Sequence, residues 1–306
     1  MMVMDACFIL EFFNCSQESD SFSGNRLLPE NVIFDLILLE NQIPFFFLDE
    51  IYQCTILKNH PHISLIQFIY PVLNDLSIFR AYITINDISL NAVPHILSLL
   101  HECYKPPSYT TSVSFPSTIH SVVDLDRAGV NFKPNKYPTW VKGMEVKLPN
   151  FPRFFGSWSK PTLRIPVMYI HDFTELVLKN LIAYERQSSQ TSNYITSYAT
   201  AIDKLIDTQE DVAKLIDSKV LVNGMGSNEE AATMINSICK EVACPEFFYG
   251  VQWEKLNKYC NRYWPKNIAW LRRTYFSSPW NIIALFVGVV LFTLTVVQTI
   301  FAIKST

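Results

Sequence analysis

Residues Ile282 to Ile303, IIALFVGVVLFTLTVVQTIFAI, run for 22 positions without a charge, and Gln298 is the only strongly polar side chain among them. As an α-helix this run is about 33 Å long, enough to cross a hydrocarbon core of about 30 Å. A helix apolar on every side must be enclosed by protein or handed to lipid. The flank favours lipid. Trp264, Trp270 and Trp280, with Tyr259, Tyr263, Tyr275 and Phe276, form a belt of rings suited to the headgroup level. Lys255, Lys258, Arg262, Lys266, Arg272 and Arg273 precede the run, no Asp or Glu occurs from Lys255 onward, and only Lys304 follows it. Arg262, Trp264, Lys266, Trp270, Arg272, Arg273 and Trp280 are therefore expected to anchor the chain at a membrane interface, each cation contributing about 1 kcal/mol on an anionic surface. The charge bias places the body in the cytosol of a single-pass protein of the plasma membrane or an endomembrane, with residues 304–306 as a short tail.

Three further readings bound the remainder. The formal net charge of −3 gives no global surface for nucleic acid. The seven cysteines are widely spaced, with no C-x-x-C pair, which fits free thiols better than a disulfide framework or a zinc module. The opening MMVMDACFILEFF lacks a basic segment and a small-residue cleavage site, so it is not read as a signal peptide. The sequon Asn14-Cys15-Ser16 matters only if this part faces a secretory lumen.

Between the termini the pattern is mainly helical. LLPENVIFDLILLENQIPFFFLDEIYQCTI reads as an apolar helix broken before Pro44. Proline lacks an N–H and crowds the carbonyl four residues back, so the helix is expected to end or kink within Glu40-Asn41-Gln42. Glu40, Asn41, Gln42 and Pro44 are read as a polar joint whose side chains satisfy freed backbone groups. NAVPHILSLLHECY is a second helix; SVVDLDRAG is a short one stopped by Gly129 at C′. Lys105 to Thr118 is the linker candidate. Met144, Val146 and Leu148 alternate with charged residues, predicting a hairpin over about 143–170. Asp172-x-x-Glu175, Thr208-x-x-Asp211 and Ser227-x-x-Glu230 mark three helix starts. In the first, Phe173, Leu176, Val177, Asn180, Leu181 and Tyr184 share one side. The expected architecture is a mainly α body with a small β-hairpin over 1–279, followed by one C-terminal transmembrane helix over 280–303.

DACFILEFF, DLILLENQIPFFFLDEIY, AGVNFKP, LRIPVMYIHDFTELVLKNLIAYER, TSYATAIDKLIDTQEDVAKLI and RRTYFSSPWNIIALFVGVVLFTLTVVQT occur in this order along nearly the whole chain. In that series the chain resembles the plant proteins that carry the domain of unknown function 247. It departs from them in reading Asp-Ala-Cys-Phe for Asp-Gly-Cys-Phe and in starting at that motif, so the family's usual N-terminal part is expected to be missing. The resemblance implies a single-pass membrane protein with no established catalytic activity. Some grass relatives are recognition determinants of self-incompatibility, which implies a protein-interaction role with an unknown protein partner.

Catalytic, cofactor and metal residues do not emerge. His60-Pro61-His62 lacks a third ligand at metal-site spacing. The adjacent residues of His101-Glu102-Cys103 point in different directions on a helix. Asp124/Asp126 and Glu229/Glu230 suit helix starts or solvated faces. No G-x-S-x-G, P-loop, H-E-x-x-H or G-x-G-x-x-G is present. The alternative to an interaction protein is a membrane-tethered hydrolase whose His, acid and nucleophile converge only in the fold.

Overall fold

A computed structural model describes residues 2–18, 27–58, 62–79, 88, 93–106, 120–135, 143–148, 160–187, 191–261 and 279–304. It is mainly helical, with two small sheets. Helices α1 (Met2–Glu18), α2 (Leu27–Asp35), α3 (Phe45–Cys54), α4 (Leu65–Asp75) and α5 (Ile96–Cys103) make up the first part. Then come α6 (Val122–Arg127), β1 (Asn131–Pro134), β2 (Glu145–Lys147), β3 (Thr162–Ile165) and β4 (Met168–Ile170). Helices α7 (Thr174–Gln187), α8 (Tyr194–Leu205) and α9 (Gln209–Asp217) lead to β5 (Leu221–Asn223), α10 (Asn228–Ile238), α11 (Gly250–Cys260) and α12 (Pro279–Lys304). One apolar core runs from Ala6 and Phe13 on α1 to Trp253 and Leu256 on α11.

Local chemistry accounts for many of the boundaries. Thr208 and Asp211 form a capping box at the start of α9, and Ser227 Oγ accepts from Glu230 N–H at 3.1 Å to open α10. Helix α7 starts differently from the Asp172 reading: it begins at Thr174, whose Oγ1 accepts from His171 N–H at 2.9 Å. Two starts that went unread are the Ser64/Gln67 box of α4 and the His95/Ser98 box of α5. Gly129 takes φ 88 just past the end of α6, and Val130 N–H returns to Leu125 O at 2.9 Å, which closes the helix as its C′ position requires.

The hairpin is present as β2 antiparallel to β3, with Val146 opposite Leu163. Residues 149–159, its connection, lie outside the described residues. Two strand features were not foreseen. β1 adds to the other side of β3 in parallel, and the second arm of the expected hairpin is divided at Pro166. Proline cannot donate to a ladder, and beyond it β4 pairs instead in parallel with β5. Residues 107–118 of the linker candidate are also outside the described residues.

On α7 the buried stripe is Thr174, Val177, Leu178, Leu181, Ile182 and Glu185. It is rotated by about one residue from the expected side, because Asn180 and Tyr184 are only half-buried. That rotation puts an acidic residue in the core.

The C-terminal expectation needs correction. Among the described residues no helix is long and apolar enough to cross a membrane, so a transmembrane span is not an established part of this fold. The uncharged run does lie in a single helix of 26 residues, α12. The side chains described in it are continuous only from Val290 to Ile300, about 16 Å of helix at 1.5 Å per residue. They include Leu291, Phe292, Leu294 and Ile300, all exposed, as are Ile283 and Phe286 nearer its start.

Candidate functional site

The polar joint is built around Gln42. Helix α2 stops at Asp35, earlier than the Glu40–Gln42 break expected from Pro44, and residues 39–41 form one 3-10 turn. Pro44 is the N-cap of α3, a position where a missing N–H removes no helical hydrogen bond. Gln42 Nε2 donates to Leu36 O at 2.8 Å and to Leu38 O at 2.6 Å, taking up carbonyls beyond the end of α2. Its Oε1 accepts from Leu97 N–H at 3.0 Å, one of the orphan donors in the first turn of α5. One amide thus bridges two helix ends. Asn180 Oδ1 on α7 accepts from Leu39 N–H at 2.9 Å and ties the joint to a third helix. Glu40 and Asn41 are exposed; Asn41 holds Asp35 O at 3.1 Å from outside. The joint residue that acts inside is Gln42, and Asn180, through Leu39 N–H, is the joint's unforeseen tie to α7.

A second polar centre lies where α5, α7 and α8 meet. Glu185 is 3% exposed and His101 1%. Glu185 Oε1 accepts from Ile195 N–H at 2.8 Å and lies 2.9 Å from His101 Nε2. Its Oε2 accepts from Thr196 N–H at 2.8 Å and Thr196 Oγ1 at 2.6 Å. The carboxylate therefore caps the positive end of α8 while facing an imidazole. On the other side of the ring, Tyr194 Oη lies 2.9 Å from His101 Nδ1 and donates to the carbonyl oxygen of His101. The Tyr194 ring stacks on His101 at 4.3 Å, and Tyr184 meets it edge-on at 5.2 Å. Burial pushes the Tyr194 hydroxyl well above the usual phenol range, and the fields of Glu102 and Glu185 push it further.

This base–acid–phenol set has the residue types of a catalytic centre, but every acceptor position of Glu185 is filled from the protein. The set is sealed, and a buried polar network with all members satisfied rigidifies a core. Asp211, 1% exposed, does the same elsewhere: Oδ1 accepts from Val123 N–H at 2.8 Å and Oδ2 from Thr208 N–H at 3.0 Å. It joins the first turns of α6 and α9.

The described surface carries an open cleft of about 660 Å³ between the starts of α7 and α10. Asp172, Glu175, Glu229 and Glu230 line it with Met225, Met234 and three hydroxyl residues. Lys179, 2.5 Å from Glu175, holds that carboxyl below its usual range, with help from the Ser237 hydroxyl at 2.8 Å. The lining contains neither histidine nor cysteine. Among the described residues no group of three His, Cys, Asp or Glu is arranged to hold a metal.

Of the membrane-interface set, Arg262, Trp264, Lys266, Trp270, Arg272 and Arg273 lie outside the described residues, and of Trp280 only the backbone, in the first turn of α12, is described. His60 is outside them too, while His62 is exposed.

A plant family described as "plant protein of unknown function", the domain of unknown function 247, matches residues 1–294. The chain belongs to this family. Members from Arabidopsis thaliana include UPF0481 protein At3g47200, 26% identical over 334 residues. That match covers 100% of this chain and 68% of the relative. Putative UPF0481 protein At3g02645 is 32% identical over 182 residues, covering 59% of this chain and 32% of the relative. No solved structure matches. Within the family match fall Gln42, Asn180, His101, Glu185 and Asp211, the residues that join helices in this member.

Proposed function

We propose that this family member is a membrane-anchored interaction protein: α12 holds it in the bilayer and the helical body presents a surface to a protein partner. The observation that carries the reading is α12, one helix of 26 residues that contains the uncharged run and leaves large aliphatic and aromatic side chains exposed where they are described. Leaving such surface in water is unfavourable by about 25 cal/mol per Å². The basic, tryptophan-rich segment before it supplies the interfacial anchor, and its charge bias puts the body on the cytosolic side. An interaction role is favoured over hydrolysis because the sealed His101–Glu185–Tyr194 set offers no open acceptor and the lining of the acidic cleft holds neither histidine nor cysteine. Recognition at a membrane is also the role implied by the family's self-incompatibility members.

Alkaline carbonate extraction with flotation on a sucrose gradient tests the anchor. Full-length protein should stay with floating lipid, and the double variant Val290→Arg/Leu294→Arg should shift to the soluble fraction, since arginine at mid-span costs about 2.5–3.5 kcal/mol. Wild-type protein released by carbonate would sink the anchor. Glycosylation of Asn14 would reverse the orientation. Proximity labelling from native membranes reads the partner, and the interaction role fails if no protein is enriched over a membrane-anchored control.

A further inference from the structure

Two thiols approach the same edge of α8 from the segment that links α10 to α11. Cys239 is the C-cap of α10. Val242 N–H then returns to Cys239 O at 3.1 Å, and Glu241 takes φ 63 within that reversal, a left-handed conformation costly for a residue with a Cβ. Two residues further on, Cys244 Sγ donates to Glu246 O at 3.3 Å and lies 3.7 Å from Ser197 Oγ. Cys239 Sγ lies 4.0 Å from Thr200 Oγ1. Ser197 and Thr200 are three residues apart on α8, hence on one side of it. Both thiols are half-buried, as is Cys15, whereas Cys7 and Cys54 are exposed and Cys103 and Cys260 buried. A disulfide needs Cα atoms about 4.4–6.8 Å apart, which a short segment reaches only when folded back, and the turn closed by Val242 N–H on Cys239 O starts such a reversal.

We propose that Cys239 and Cys244 form a redox-sensitive pair that a hydroperoxide converts to an intramolecular disulfide, clasping the α10–α11 connection against α8. In the first step one thiolate attacks the peroxide oxygen; the O–O bond breaks, an alcohol or water leaves and a sulfenic acid forms. In the second, the other thiolate attacks that sulfur and displaces hydroxide, which leaves as water. Two thiols and one hydroperoxide thus become one disulfide, one alcohol or water, and one water. Burial, with the nearby Asp203 carboxylate, pushes the Cys239 thiol up to about 12, and burial also raises Cys244. Both thiols are therefore mostly protonated near neutral pH, and the small thiolate fraction makes the first step slow.

The test uses the full chain in a Cys7→Ser/Cys54→Ser background, which removes the two exposed thiols. The protein is treated with hydrogen peroxide, denatured and alkylated. Trypsin cuts after Lys240, so a Cys239–Cys244 bond holds two peptides together and is read by mass spectrometry. The expected result is that linked pair, lost on reduction and absent from Cys239→Ser and Cys244→Ser, in which the remaining thiol is trapped as a sulfenic acid by a dimedone probe. Alkylatable Cys239 and Cys244 after peroxide, independent oxidation of each, or links to other cysteines would each overturn it. Circular dichroism of the serine variants verifies that the fold is intact when the link is lost.

Discussion

At the residue scale the amide of Gln42 is worth more than its neighbours. Gln42→Leu strands Leu97 N–H and Leu36 O, while Leu38 O keeps the Asn41 N–H at 3.0 Å, and each group left unpaired costs about 1–3 kcal/mol. Chemical denaturation should show a loss of about 2–3 kcal/mol, against less than about 0.5 kcal/mol for Asn41→Leu at its exposed position. Equal effects would mean that the whole triplet, rather than Gln42, acts as the joint. Lys219 offers the opposite sign. It takes φ 59 just after α9, and its N–H bonds Ile216 O at 2.8 Å. Lys219→Gly keeps that bond and relieves the Cβ conflict, so the midpoint of unfolding should rise, by about 0.5–1 kcal/mol.

His95 gives a pH dependence. Its Nδ1 accepts from Ser98 N–H at 3.1 Å as the side-chain cap of α5, which only an unprotonated nitrogen can do. Burial lowers its pKa from 6.5. The unfolded chain therefore takes up the proton first as pH falls, so the contribution is complete above about 6.5 and is lost below it. Thermal unfolding between pH 7.5 and 5 should show this loss, and His95→Asn, which caps without titrating, should flatten that part of the profile.

At the scale of elements, Glu185 gathers three helices. Removing one partner of a buried pair leaves the other unsatisfied, so Glu185→Ala should cost about 3–5 kcal/mol, measurable as a lower denaturation midpoint with α8 losing amide protection. Retained protection at Ile195 and Thr196 would show that α8 does not need the cap. The joint, by contrast, was partly legible in sequence because proline acts locally: Pro44 announces an interruption on its own. Its true partner, Leu97 N–H, is 55 residues away and leaves no local trace. Glu185 was harder still. Within Ala-Tyr-Glu-Arg it resembles any surface acid, and only the correct phase of the stripe, Val177, Leu178, Leu181, Ile182 and then 185, puts it among core positions. The parallel strands were missed for a similar reason, since β1 and β5 are short and β5 meets β4 only across the intervening helices α7, α8 and α9.

For the whole molecule, the body and α12 face different demands. The body closes one core and joins its helix ends with Gln42, Glu185 and Asp211, whereas α12 presents apolar side chains outward. Deleting 279–306 should therefore leave the unfolding midpoint of the body within about 0.5 kcal/mol while abolishing flotation with lipid. A large loss of stability would mean that α12 packs on the body instead.

The length of chain between partners has a consequence during synthesis. Leu39 meets Asn180 across 141 residues, Val123 meets Asp211 across 88, and His101 meets Glu185 across 84. Contacts this distant form late, because the intervening loop must close before they reward it. At about 5–20 residues per second, roughly 4–17 s separates the translation of His101 from that of Glu185. For that interval the nascent α5 carries an imidazole without its carboxylate and an apolar side without α7. Slowing elongation between these two positions lengthens the exposure of that surface to chaperones on the ribosome.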